Sequence, residues 1–125
     1  MADKHILSPL GKTWIFDLDG TVVKHNGYKL DGKDSLLSGA EDFLKGIPDT
    51  DMVIFVTSRR ETEREDTESF LKENSIRYDS IVFNAPYGER ILVNDAKPSG
   101  LNMSLAVNTV RDVFMEDVFE IDESL

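Results

Sequence analysis

The chain has 125 residues, enough to bury one core without disulfide or metal staples and too few for two full domains. Twenty-four acidic against fourteen basic side chains leave a formal net charge of -10. Such a field opposes long polyanions and anionic bilayers, so neither nucleic acid nor a membrane surface is expected as a partner. The absence of cysteine removes a disulfide framework, a thiolate metal site and a cysteine nucleophile, and fits a reducing, cytoplasmic setting.

Residues 1–11 form a lead-in whose sizeable apolar residues, Ile6, Leu7 and Leu10, are broken by Ser8 and Pro9. That run is too short for a signal-peptide core, and no stretch of the chain approaches the ~20 apolar residues of a membrane helix. Thr13-Trp14-Ile15-Phe16 is nearly continuous in apolar character and ends abruptly in Asp17-Leu18-Asp19-Gly20, which predicts a parallel-sheet strand buried on both faces. Thr21 to Val23 and Tyr28 to Leu30 flank an Asn26-Gly27 pair, a hairpin signal that predicts a small β-flap. From Ser38 to Lys45, Ala40, Phe43 and Leu44 recur at helical spacing, with Ser38 as the expected N-cap and Gly46 as the stop.

Met52 to Val56 repeats the buried-strand pattern and ends in Thr57-Ser58. The charged run Glu61 to Glu73 follows, with Thr67, Phe70 and Leu71 as its one apolar stripe; it predicts a solvated, one-sided helix opened by a Ser58/Glu61 capping box. Ser80 to Phe83 and Arg90 to Val93 are two further strand candidates around the loop Asn84-Ala85-Pro86-Tyr87-Gly88. Residues 101–125 form a tail whose pattern suits either an edge strand or a terminal helix. The alternation predicts a single α/β, Rossmann-like domain with a mainly parallel sheet flanked by helices.

Three of the four strand candidates end in polar clusters: Asp17 and Asp19, Thr57 and Ser58, Asn94 and Asp95. At the carboxyl edge of an open parallel sheet such ends face one crevice. Three carboxylates crowded there call for a cation, and an all-oxygen set suits Mg²⁺, beside which a phosphate can bind. As ordinary alternatives, Thr57 and Ser58 make a helix cap, Asp95 a loop carboxylate, and Arg59 and Arg60 surface partners of nearby glutamates. His5 and His25 have no ligand spacing, and Trp14 and Phe16 fit the core.

Asp17-Leu18-Asp19-Gly20-Thr21 after an apolar strand resembles motif I of the haloacid dehalogenase (HAD) superfamily, mostly Mg²⁺-dependent phosphohydrolases. Val53 to Thr57 is similar to its motif II and Ile91 to Asp95 to its motif IV. The three stand in order over roughly Thr13 to Lys97 and resemble most the small members without a cap domain; the gaps between the motifs leave no room for one. The resemblance implies that Asp17 is the nucleophile and forms an aspartyl phosphate. It implies that Asp19 is the general acid/base, that Thr57 and Ser58 with Gly20 and Arg59 meet the phosphate, and that Asp17, Asp19 (through its carbonyl) and Asp95 hold Mg²⁺. The family's basic motif III often precedes a proline, where this chain has Ala85 before Pro86. Lys97 is the expected substitute, with Arg90 and Arg59 as the others.

The function expected is hydrolysis of a small phosphomonoester, such as a sugar phosphate or a metabolite of polysaccharide or nucleotide-sugar synthesis. The alternative is an idle domain of the same fold that binds a phosphorylated ligand or a partner protein; a homo-oligomer is left open. A receiver domain has the acid pair and hydroxyl in a different order.

Overall fold

A computed structural model describes residues 2–125. β-prone residues form strands where a neighbouring backbone can complete the ladder. Among the described residues these are β1 (Lys4–Leu7), β2 (Thr13–Phe16), β3 (Met52–Val56), β4 (Ser80–Val82) and β5 (Val118–Ile121). Helices α1 (Gly27–Leu30), α2 (Ala40–Lys45) and α3 (Arg64–Glu73, led in by a 3-10 turn at Glu61–Glu63) lie between them. All strand pairing is parallel: β2-β3-β4 make one sheet and β1-β5 a second. The architecture is the mixed α/β class expected.

The register sets Phe16, Phe55 and Ile81 in one row across the larger sheet. All three are buried, and Ala40 and Leu44 of α2 with Leu71 of α3 join them in the core. Each such phenylalanine, leucine or isoleucine contributes roughly 1.5–3 kcal/mol on burial. Continuous apolar strands suggested cover on both faces, but the structure covers one. Ile15 is 53% and Val82 47% exposed on their strands, so the sheet follows the alternating burial of a one-sided layer.

Two predicted elements differ. At the flap, Val23 and Leu36 meet in a single antiparallel bridge, backed by Lys24 N–H to the Ser35 carbonyl (3.0 Å) and Leu37 N–H to the Val22 carbonyl (2.9 Å). The tip, however, is the short helix α1, not a hairpin turn. Asn26 takes the left-handed conformation (φ 55°) that the Asn-Gly pair favours, and uses it to begin that helical turn. The expected strand Arg90 to Val93 is not formed: residues 83–117 contain no helix or strand, because no ladder partner lies alongside to satisfy its backbone.

α2 stops at Gly46 as expected but starts from Gly39 (φ 89°) and not from Ser38. At the start of the 3-10 turn the Glu63 carboxylate, not Glu61, accepts the Arg60 N–H (3.2 Å). The tail's open alternative resolves to a strand: β5 pairs with β1, tied by His5 Nε2 to Asp117 Oδ2 at 2.6 Å. Phe114 is buried against Phe43, ring centroids 5.7 Å apart, and anchors the return of the irregular segment. No helix among the described residues is long and apolar enough to cross a membrane.

Candidate active site

The loop that leaves β2 is wound on its own buried residues. Leu18 is sequestered in the core, and its carbonyl accepts the N–H groups of Thr21 (3.1 Å), Val22 (2.9 Å) and Val23 (3.1 Å). Gly20 turns the chain at φ +83°, where a side chain would be strained and a Cβ would stand 3.2 Å from Arg111 Cγ. This tight loop directs Asp17 and Asp19 from the carboxyl end of β2. Gly20 was expected to meet substrate, but its N–H donates to the Val23 carbonyl (2.7 Å) and its carbonyl accepts from Asp112 (2.8 Å). Its part is to shape the turn.

Asp17 is about one-third exposed, at 35%. Its Oδ2 accepts from Thr21 Oγ1 at 2.9 Å and its Oδ1 from Arg90 Nη1 at 3.0 Å. The hydroxyl on one oxygen and the cation on the other fix the orientation of this carboxylate at the sheet edge. The cation in contact with it is therefore Arg90, one of the alternatives to Lys97.

Asp19 is engaged differently. Its two oxygens accept from Arg59 Nε (3.0 Å) and Nη2 (2.9 Å). The same guanidinium donates from Nη1 and Nη2 to the two oxygens of Asp34 (3.0 and 2.8 Å), and from Nη1 to Thr67 Oγ1 on α3 (3.0 Å). An arginine has five N–H donors, and all five are spent on these neighbours. The Tyr28 ring covers the guanidinium, its centroid 4.3 Å from Cζ. The Arg59 side chain is 4% exposed and that of Asp34 6%. Burial pulls the Arg59 pKa down, but the hydrogen bonds it donates to Asp19 and Asp34 outweigh this and hold the group above its ordinary value. Burial, with Glu63 and Asp19 nearby, pushes the Tyr28 phenol up to about 12. Arg59 is thus neither a surface partner of glutamates nor a substrate ligand; it is a buried clamp.

Thr57 is buried, and its Oγ1 accepts the Arg59 backbone N–H at 3.1 Å. The hydroxyl thus shapes the β3 exit but caps no helix, because the 3-10 turn takes Arg60 as its N-cap. Ser58 is half-buried; its Oγ donates to the Pro86 carbonyl at 3.4 Å. Its backbone N–H has no partner among the described residues and can meet an anion. Asp95 and Lys97 are exposed, on the segment that was to be a strand. Neither is brought to Asp17: the Lys97 backbone N–H bonds only its own turn, to the Leu101 carbonyl (2.9 Å).

Mg²⁺ was expected on Asp17, Asp19 and Asp95. The donor set does not fit in this arrangement. Asp17 is already paired with Arg90, Asp95 is exposed and makes no side-chain bond to the site, and among the described residues no three acidic or histidine side chains converge on a common point; the Asp19 carbonyl, the atom expected to join them, is left without those partners. Sequence reading did not single out Asp34 or Tyr28. Asp34 lies in the polar run Lys33-Asp34-Ser35, which looks like any exposed turn, and only the fold sets it against Arg59.

No protein-family model matches the chain, and no curated protein does. Two solved structures are similar. One, "Structure of Pnkp1/Rnl/Hen1 complex", has a chain 30% identical with a TM-score of 0.52; the match covers 66% of this chain and 31% of that one. The other, "Structure of the Pnkp1/Rnl/Hen1 RNA repair complex", has a chain 31% identical, again with a TM-score of 0.52, over 65% of this chain and 28% of that one. This chain therefore spans less than a third of either.

Proposed function

We propose that this chain is a phosphohydrolase of the HAD type, acting on a phosphomonoester through an aspartyl phosphate on Asp17. The observation that carries the reading is the contrast between two carboxylates two residues apart. Asp17 is accessible and meets a hydroxyl and a cation, while Asp19 is held back by a buried arginine. Environment thus gives two like groups opposite roles.

In the first step Asp19 enters protonated on an oxygen released from Arg59, an Asp17 oxygen attacks phosphorus, the P–O ester bond breaks, and the leaving oxygen takes that proton. In the second, water attacks phosphorus and returns a proton to Asp19; the bond between phosphorus and the Asp17 oxygen breaks and phosphate leaves. Arg90 lies where it can neutralise charge on both Asp17 and an incoming phosphoryl group, and the Ser58 N–H can add a donor. Mg²⁺, which the oxygen-rich motifs suggested, has no fitting donor set in this arrangement, so charge neutralisation falls to Arg90.

Two substrate readings follow. The overall charge of -10 favours a small ester such as a sugar phosphate. The likeness to chains of an RNA repair complex favours a terminal phosphate on RNA, bound through its end only. Phosphate release from a panel of sugar phosphates and an oligoribonucleotide with a terminal phosphate, with and without Mg²⁺, separates them. Asp17→Asn is expected to abolish release. Activity that survives this change refutes the nucleophile, and no release from any ester returns the chain to an idle phosphate-binding domain. Arg90→Ala beside Lys97→Ala identifies the working cation by the larger loss.

A further inference from the structure

We infer that Asp34 is a positioning residue for the proton-transfer steps, acting on Asp19 through Arg59; the inference rests on the function proposed above. The geometry is over-determined for a merely structural tie. Asp34 accepts from both terminal nitrogens of Arg59, which fixes the guanidinium in its plane. Thr67 fixes it from α3, and the Tyr28 ring closes one face. What remains is the Nε and Nη2 edge, and that edge meets both oxygens of Asp19.

Bidentate pairing of this kind sets orientation as well as energy. With both oxygens accepting N–H bonds Asp19 is a carboxylate with no proton to give, so it must turn one oxygen away from Arg59 to take up a proton and carry it to the leaving oxygen. If Arg59 were free to follow, the carboxylate would carry the arginine with it and lose its reference position. Asp34 prevents this by holding Arg59 from the far side, so that Asp19 releases one bond, serves the leaving oxygen, and returns to the same seat to take the proton from water. Charge supports the same division. One guanidinium against two carboxylates leaves a net negative charge on the cluster, so Arg59 does not act as a full counter-ion to Asp19 alone.

The test is the dependence on the leaving group. Nitrophenolate departs without a proton, whereas the alkoxide of an alkyl or sugar phosphate needs one. The quantity to read is kcat/KM, which covers steps through phosphoryl transfer to Asp17 and so isolates donation by Asp19 from its later work on water. For Asp34→Asn, kcat/KM toward the alkyl phosphate is expected to fall by about tenfold or more beyond any fall toward p-nitrophenyl phosphate, within the range of general acid catalysis. Arg59→Lys, whose single ammonium cannot span two carboxylates, is expected to behave likewise. An equal loss on both substrates, or none, overturns the positioning role while leaving the proposed hydrolysis standing. A wild-type chain inactive on both esters overturns the hydrolysis itself, and with it the role of Asp34. Thermal unfolding and near-ultraviolet circular dichroism verify folding; should Asp34→Asn fail to fold, Asp34→Glu, which keeps both oxygens one methylene displaced, carries the same comparison.

Discussion

Replacing Arg59 by methionine removes the guanidinium and keeps most of the apolar stem. Two carboxylates then lose their partner in a poorly hydrated place, Asp34 at 6% exposure and Asp19 at 19%. Removing one member of a buried ion pair costs about 3–5 kcal/mol, chiefly through the charge left behind, and Tyr28 loses a cation over its ring. Against a total stability of about 5–15 kcal/mol this is a large share, and for a chain of this size it lowers Tm by about 10–20 °C. Urea unfolding measures it as a shift in midpoint at constant slope. The double variant Arg59→Met with Asp34→Leu removes one stranded charge and is expected to recover a good part of the loss. A single variant within about 1 kcal/mol of wild type would show that the cluster is solvated and the clamp weak.

Asp17→Asn removes a carboxylate with an exposed arginine partner, so its cost in stability is at most about 1 kcal/mol while phosphate release stops; a large change in the urea midpoint would contradict the placement of Asp17. Arg90→Ala is expected to lower kcat/KM by about tenfold to a hundredfold with folding unchanged, and to weaken inhibition by inorganic phosphate. The hydrogen bond from His5, with the Asp3 N–H, holds Asp117 below its ordinary carboxylate range. A depressed folded value means the contribution is complete above the ordinary pKa of about 3.9 and is lost as pH falls through the depressed one. Amide exchange in β1 and β5 should therefore accelerate in acid before the β2-β3-β4 sheet loosens, and Asp117→Asn should abolish that difference. Phe114→Ala leaves a core cavity and is expected to cost about 3–5 kcal/mol, which calorimetry reads directly.

What the sequence made readable was local. Thr13–Phe16 and Met52–Val56 are dense in residues that favour strands and end in sharp polar stops, and Ser80–Val82 lies in a short apolar run, so they could be found without partners in view. The stripe of Thr67, Phe70 and Leu71 likewise announced which side of α3 turns inward. What was not readable depended on distant pairing. Lys4–Leu7 is a strand only because Val118–Ile121 comes back beside it, and neither segment carries a strong pattern of its own. Arg90 to Val93 has the reverse history: three branched aliphatic residues with strand character but no neighbouring ladder, and Ile91 and Val93 stand 85% and 87% exposed. The Asn26-Gly27 pair was correctly a place for left-handed backbone, but that conformation opens a helical turn as readily as a hairpin. At the site, the aspartates of the first motif were evident from spacing, whereas the buried state of Arg59 follows from a carboxylate in a loop with no signature.

The two arginines nearest the aspartates divide the electrostatic work in a way that total charge conceals. Arg59 has spent every donor on groups of the protein itself, so its charge is balanced internally and offers little attraction to an arriving anion. Arg90 is 41% exposed and gives one hydrogen bond to Asp17, which leaves several of its donors for a phosphate. An anion that reaches Arg90 is thereby brought against the carboxylate that would attack it, and the same cation offsets the repulsion between the two. A chain with a net charge of -10 cannot draw in a phosphate through its general field. It can do so where a cation keeps free donors, and Arg90 offers such a point against Asp17.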